Sequence, residues 1–186
     1  MKNQLKIHLY HLPHPYPEER QSGLEAWGRL SIRHVDSQNS SRMLLDTEWN
    51  LLPFIRWYEE NRVRFFSETL YCEHLRLSAS NSESLAQALN RLQDTSFLEE
   101  EASTENEWYQ FLYQYRLHHS LRFALRGTQV PEIILGKNGD HAEISLADGN
   151  EAWSYHFDID DFFDSTLDEI ESFRKTSVGD ENLKEV

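Results

Sequence analysis

The sequence predicts an α+β fold: an antiparallel sheet built from N-terminal strands and a C-terminal three-stranded meander, packed against three to four helices. Three observations carry this. The first strand-like segment alternates apolar and polar residues, the middle of the chain shows helical spacing, and two Gly-punctuated hairpins follow one another near the C-terminus.

LKIHLYHL sets Leu5, Ile7 and Leu9 against Lys6, His8 and Tyr10, the period of a half-buried strand. PHPYPEER, with Pro13, Pro15 and Pro17, enforces a loop. A second strand runs from Leu24 to Val35 with Leu30, Ile32 and His34 on one face, DSQNSS forms the connection, and RMLLD returns as a third strand. A helix is expected from DTEWNLLPFIRWYEENRVRFFSE, capped by Asp46 or Thr47, with Pro53 tolerated near its first turn and Leu51, Ile55, Tyr58 and Arg62 on one side. A shorter helix follows in NSESLAQALNRLQ, capped by Asn81 or Ser82, with Leu85, Ala88, Leu89 and Leu92 at helical spacing. DTSFLEEEASTENE is an acidic linker, and a third helix starts near Thr104. Beyond Gly127, Asn138-Gly139 and Asp148-Gly149 supply the positive φ that tight hairpins require and divide the meander into three strands. DDFFDSTLDEIESFRK is the last helix. Residues 1–175 form a single domain in this reading, and 176–186 form a disordered tail.

The formal net charge of −14 rests on 32 acidic against 18 basic residues, so the average field repels nucleic acid and anionic lipid and attracts basic partners. Neither a run of about 18 apolar residues nor a signal-peptide pattern is visible, and the single Cys72 has no second cysteine to pair with. A cytoplasmic location is the expectation. Aromatic residues are abundant, with 10 Phe, 8 Tyr and 5 Trp, and supply much of the core.

One segment departs from the acidic background. YRLHHSLRFALRG, residues 115 to 127, holds three arginines and two adjacent histidines. On a straight helix Trp108, Phe111, Leu112 and Tyr115 form an apolar stripe. That stripe continues into His119, Arg122 and Arg126, whereas Leu117, Leu121, Ala124 and Leu125 fall on the opposite side. Either the helix breaks around Arg116 to His118 and leaves the arginines in solvent, or His119, Arg122 and Arg126 form a stripe for a partner, a carboxylate or a phosphate, which arginine holds bidentately, or the arginines pair internally with the acidic C-terminal helix.

The acidic candidates are Asp158, Asp160, Asp161 and Asp164 in FDIDDFFD. Their spacing matches no calcium loop, and capping of the last helix explains them more simply than a metal. From His141 to Phe173 there are ten acids and no Lys or Arg, a pattern that is usually a solvated face and that could otherwise dock a basic protein or imitate nucleic acid. His8, His11 and His14 fall on different faces and make a poor zinc site. Pro131-Glu132 and Glu143 resemble part of a metal-dependent nuclease layout, but Ser145 stands where its lysine belongs. GKNGD is a turn and not a phosphate loop. Cys72, beside His74, lacks the orienting group a nucleophile needs and reads as structural.

Two stretches, WNLLPFIRWYEENRVRFF and HHSLRFALRGTQVPEIILGKNGDHAEIS, together resemble an uncharacterised domain of bacterial proteins encoded near defence or toxin–antitoxin modules and sometimes fused to zinc peptidases of the ImmA/IrrE type. The resemblance rests on Trp57, Glu60, Asn61, His119, Ser120, Leu121, Arg122, Gly127 and Pro131, and covers about half of the chain. The peptidase motif is absent. What the resemblance implies is context: a bacterial, cytoplasmic protein working in a conflict system, inside a complex.

The leading expectation is therefore a non-enzymatic, acidic partner-binding protein, an accessory or regulatory subunit or an immunity- or antitoxin-like protein, with no cofactor. The candidate contact residues are His119, Arg122, Arg126, Asp158, Asp160, Asp161 and Asp164. The alternative is a metal-dependent nuclease-like or nucleotide-sensing protein using Glu132 and Glu143 with Arg122 and Arg126.

Overall fold

The computed structural model describes residues 2–19, 25–72, 77–78, 83–94, 102–149 and 151–182. The fold is α+β, as the sequence predicts, but the N-terminal strands and the C-terminal meander form two separate three-stranded sheets. The chain groups into two compact units, residues 1–56 with 157–186, and residues 57–156.

The first unit holds strands β1 (Gln4–His11), β2 (Trp27–Val35) and β3 (Ser41–Asn50), in that order and antiparallel, with Ile7 opposite Ile32 and Ile32 opposite Leu45. Alternation sends Leu5, Ile7, Leu9, Leu30, Ile32 and Leu45 to the interior. The β2–β3 connection is held by Asp36, whose Oδ1 accepts from the backbone of Gln38 (2.9 Å) and Ser40 (2.8 Å), with Asn39 at φ 67°. Gly28 is obligatory here: a Cβ would stand 2.5 Å from the Tyr10 carbonyl oxygen.

The last helix, α6 (Ile159–Asn182), packs on β1 and runs through residues expected to form a tail from 176. Phe162, Ile170 and Phe173 are its buried side. Glu169 accepts from the Leu9 N–H at 2.8 Å, and the His11 ring stacks on Phe173 at 3.8 Å, so the open edge of β1 is covered.

Residues 46–50 are a correction. The expected helix start at Asp46 or Thr47 is the second half of β3, because these residues pair with Trp27 to Ser31 of β2 and Asp46 takes a bidentate contact from Arg29. The ladder satisfies more backbone groups than a cap would. Helix α1 (Leu52–Asn61) begins instead after Asn50, whose Oδ1 accepts from Leu52 (3.2 Å) and Ala26 (3.0 Å). Pro53 falls in its first turn, where a missing N–H costs nothing. Leu51, Ile55 and Tyr58 are buried as their spacing implies.

The second unit contains α2 (Arg64–Ser67), the short pair β4 (Tyr71–Cys72) and β5 (Leu77–Ser78), helices α3 (Leu85–Asp94), α4 (Ala102–His119) and α5 (Leu121–Ala124), and the meander β6 (Ile134–Asn138), β7 (His141–Asp148) and β8 (Glu151–Phe157). Leu85, Leu89 and Leu92 of α3 meet Trp108, Leu112 and Tyr115 of α4 and Ile134 of β6 in one core. Ser84 and Gln87 form a reciprocal capping box at the start of α3, 3.3 and 3.1 Å long. The expected caps Asn81 and Ser82 lie outside the described residues, as does His74. The β6–β7 hairpin turns on Gly139, φ 59°; the next hairpin has Gly149 at φ 53°. Among the described residues of both turns the glycine carries the positive φ, not the Asn or Asp before it. No helix among the described residues is long and apolar enough to cross a membrane.

Candidate functional site

The helical-face problem in residues 115 to 127 resolves as a break, placed later than expected. Helix α4 ends at His119, Ser120 is extended (φ −96°, ψ 125°), and its hydroxyl accepts from Arg122 N to start α5. The break is fixed from outside the helix: Ser120 bridges to Ile134, and Leu121 N donates to the Ile133 carbonyl at 2.9 Å. It lets Tyr115 and His119 stay buried before it and Leu121, Ala124 and Leu125 be buried after it.

His119 is fully buried and faces inward. Its ring stacks on Tyr115 at 4.0 Å, its Nδ1 lies 2.8 Å from the Leu135 carbonyl, and its Nε2 lies 3.3 Å from Glu68 Oε2. The same Glu68 oxygen is 3.0 Å from His118 Nδ1, and the other accepts from Arg64 at 3.0 Å. The contacts with His119 first, and then with His118, outweigh burial and hold the Glu68 carboxyl down at about 2. Burial raises the Tyr115 hydroxyl, with the charges of Glu143 and Glu68 adding to it. Gly136 lies under this stack: a Cβ there would stand 2.9 Å from His119 Nδ1 and 3.2 Å from the Tyr115 hydroxyl.

Glu143 enters the same unit from β7 and is 1% exposed. Its Oε1 accepts from Leu85 N at 2.7 Å, and its Oε2 accepts from Asn138 Nδ2 at 2.7 Å. Beside it Ser145 accepts from Ala86 N at 3.1 Å, so two strand side chains cap α3. An open cleft of about 500 Å³ lies over this cap, lined by Glu143 together with His141 and His156, whose rings stack at 4.9 Å. His156 Nε2 is 3.6 Å from Glu143 Oε2. Glu132 is engaged elsewhere, 2.9 Å from Arg116 Nε. Among the described residues no group of three or more His, Cys, Asp or Glu is placed to hold a metal ion.

The remaining candidates divide by unit. In the second, Arg122 and Arg126 are exposed, with Arg126 over the Phe123 ring at 5.3 Å. In the first, Asp158 Oδ1 accepts from Asp161 N at 3.1 Å, the capping role its position suggested. The Lys2 ammonium donates to Asp158 and holds its carboxyl below the usual range. Asp161 accepts from Gln4 at 3.1 Å. Asp160 and Asp164 are exposed, and with exposed Asp168 and Glu171 they recur at i, i+4, i+8 and i+11 of α6, one stripe of the helix. The three histidines of the N-terminal segment also part company: His8 is near Glu169, His11 is on Phe173, and His14 is 2.9 Å from Glu25.

The structure thus adds Glu68, Tyr115 and His118 to the surroundings of His119. No local signal marked Glu68, because its histidine partners lie 50 and 51 residues away. Of the residues on which the expected resemblance was based, Trp57 donates to the Leu117 carbonyl at 2.9 Å and Asn61 donates to the Trp57 carbonyl at 2.8 Å, both packing roles. Comparison of the chain with protein-family models, curated proteins and solved structures finds no match.

Proposed function

We propose that this chain is a non-enzymatic, acidic partner-binding protein that docks a basic protein on the exposed face of α6. The observation that carries the reading is the stripe of Asp160, Asp164, Asp168 and Glu171, all exposed, in a stretch from His141 to Phe173 with no Lys or Arg. A second support is that the buried or half-buried acids with reactive surroundings have internal work: Glu143 caps α3, Glu132 pairs with Arg116, and Glu68 holds His118 and His119. An exposed acidic face speeds encounter with a basic surface and makes the complex salt-sensitive. The family resemblance adds the setting, a cytoplasmic accessory or immunity-like protein of a bacterial conflict system.

The test is capture of native partners on wild type and on a variant carrying Asp160→Asn, Asp164→Asn, Asp168→Asn and Glu171→Gln, at about 50 and about 500 mM salt. The expected result is a basic protein retained by wild type at low salt and lost from the variant. Equal retention by both proteins at both salt concentrations overturns the proposal.

A further inference from the structure

The second unit carries a surface of opposite character. Tyr109 and Tyr113, one turn apart on α4, are 53% and 49% exposed. Tyr113 meets Phe123 edge-on at 5.7 Å, and Arg126 lies over that ring at 5.3 Å. Arg122 is exposed beside Phe123 in the chain. Exposed tyrosine with arginine is the residue chemistry enriched in the energetic centres of protein interfaces, because flat aromatic area is presented at low entropy cost next to a bidentate cation. Two exposed arginines in a chain of net charge −14 call for an anionic occupant.

The molecule itself presents such an occupant. The α6 stripe of Asp160, Asp164, Asp168 and Glu171 is roughly 16 Å long at 1.5 Å per residue, and half-buried Phe163 and Leu167 flank it on the helix surface. It therefore offers carboxylates for arginine and apolar edges for tyrosine. We infer that the Tyr109–Tyr113–Phe123–Arg122–Arg126 surface of one copy receives the acidic face of α6 from a second copy of this chain. The inference rests on the reading of α6 as a docking surface and names a further occupant for it, so that self-association and capture of a basic partner compete. The contact joins unlike surfaces and needs no two-fold identity of the patch. The overall negative charge opposes it at low ionic strength; at about 0.15 M salt a Debye length of about 8 Å screens that long-range repulsion and weakens the close pairs less.

Sedimentation velocity over a wide concentration range tests it. Wild type is expected to rise above monomer mass with concentration. Arg122→Glu with Arg126→Glu, and separately Asp164→Arg with Asp168→Arg, weaken association by at least about tenfold. An equimolar mixture of the two variants regains it, because each supplies the charge the other expects; circular dichroism checks that both are folded. The inference is overturned by a wild type monomeric throughout, by either variant associating like wild type, or by a mixture that stays monomeric. Binding of a single-stranded RNA oligonucleotide through Arg122 and Arg126 by a protein that remains monomeric also overturns it. A monomeric wild type that still captures a basic protein through α6 removes this inference and leaves the proposed function standing.

Discussion

Helices α3 and α6 both begin on a carboxylate, and the two carboxylates have opposite surroundings. Asp158 caps α6 from the adjacent position, three residues before the N–H it accepts, within reach of Lys2. Glu143 caps α3 from a strand 58 residues away, buried, with Asn138 on its second oxygen. The first cap is a local device that leaves its neighbours Asp160 and Asp164 in solvent. The second is a tertiary bond that ties a helix to a sheet and uses up the acid. An acid's availability to a partner is therefore set by where its acceptor oxygens are aimed, not by how many acids surround it in sequence.

The largest effect should come from the buried cap. Glu143→Ala leaves Leu85 N and the Asn138 amide without their acceptor, and the loss should be about 3 kcal/mol of unfolding free energy, read by urea denaturation. Glu143→Gln keeps one carbonyl oxygen and should cost less; a neutral Glu143→Ala would show that the strand cap is not what holds α3.

Glu68 gives an intermediate test. Its carboxyl is held at about 2, below its ordinary 4.5, so its stabilisation is complete above pH 4.5 and is lost as pH falls toward 2. Thermal unfolding followed across that window should fall more steeply for wild type than for Glu68→Gln, and parallel curves would remove Glu68 from the acid response. The smallest effect belongs to Asp158→Ala, which removes a half-buried local cap and its contact with the exposed Lys2. It should fray the first turn of α6, visible as faster amide exchange at Asp160 and Asp161, with less global loss than Glu143→Ala.

The same division governs what was legible in the sequence. Asp158 as a cap, the alternation of β1, the two Gly-centred hairpins and the apolar face of α3 follow from near neighbours. The helix start at Asp46 did not survive, because β2 offered those residues a ladder that no local pattern announced. His119 was grouped with Arg122 and Arg126 on helical spacing, but Ser120 turns the chain between them, so the histidine is buried and the arginines are exposed. The bridge from Ser120 to Ile134 that stabilises this turn spans 14 residues and a loop.

By itself the sequence determined the α+β class, the three N-terminal strands, the C-terminal meander with the helix after it, and the excess of acids over bases, because backbone periodicity, glycine turns and formal charge are properties of short stretches or of sums; it did not announce the β4–β5 pair or the division between α1 and α2. Tertiary structure alone decided that the strands form two sheets, that Glu68 and Glu143 act as internal acceptors, and that α6 keeps an acidic stripe in solvent. Glu68 and Glu143 find partners on helices 50 or more positions away in the chain, and no local pattern encodes that distance.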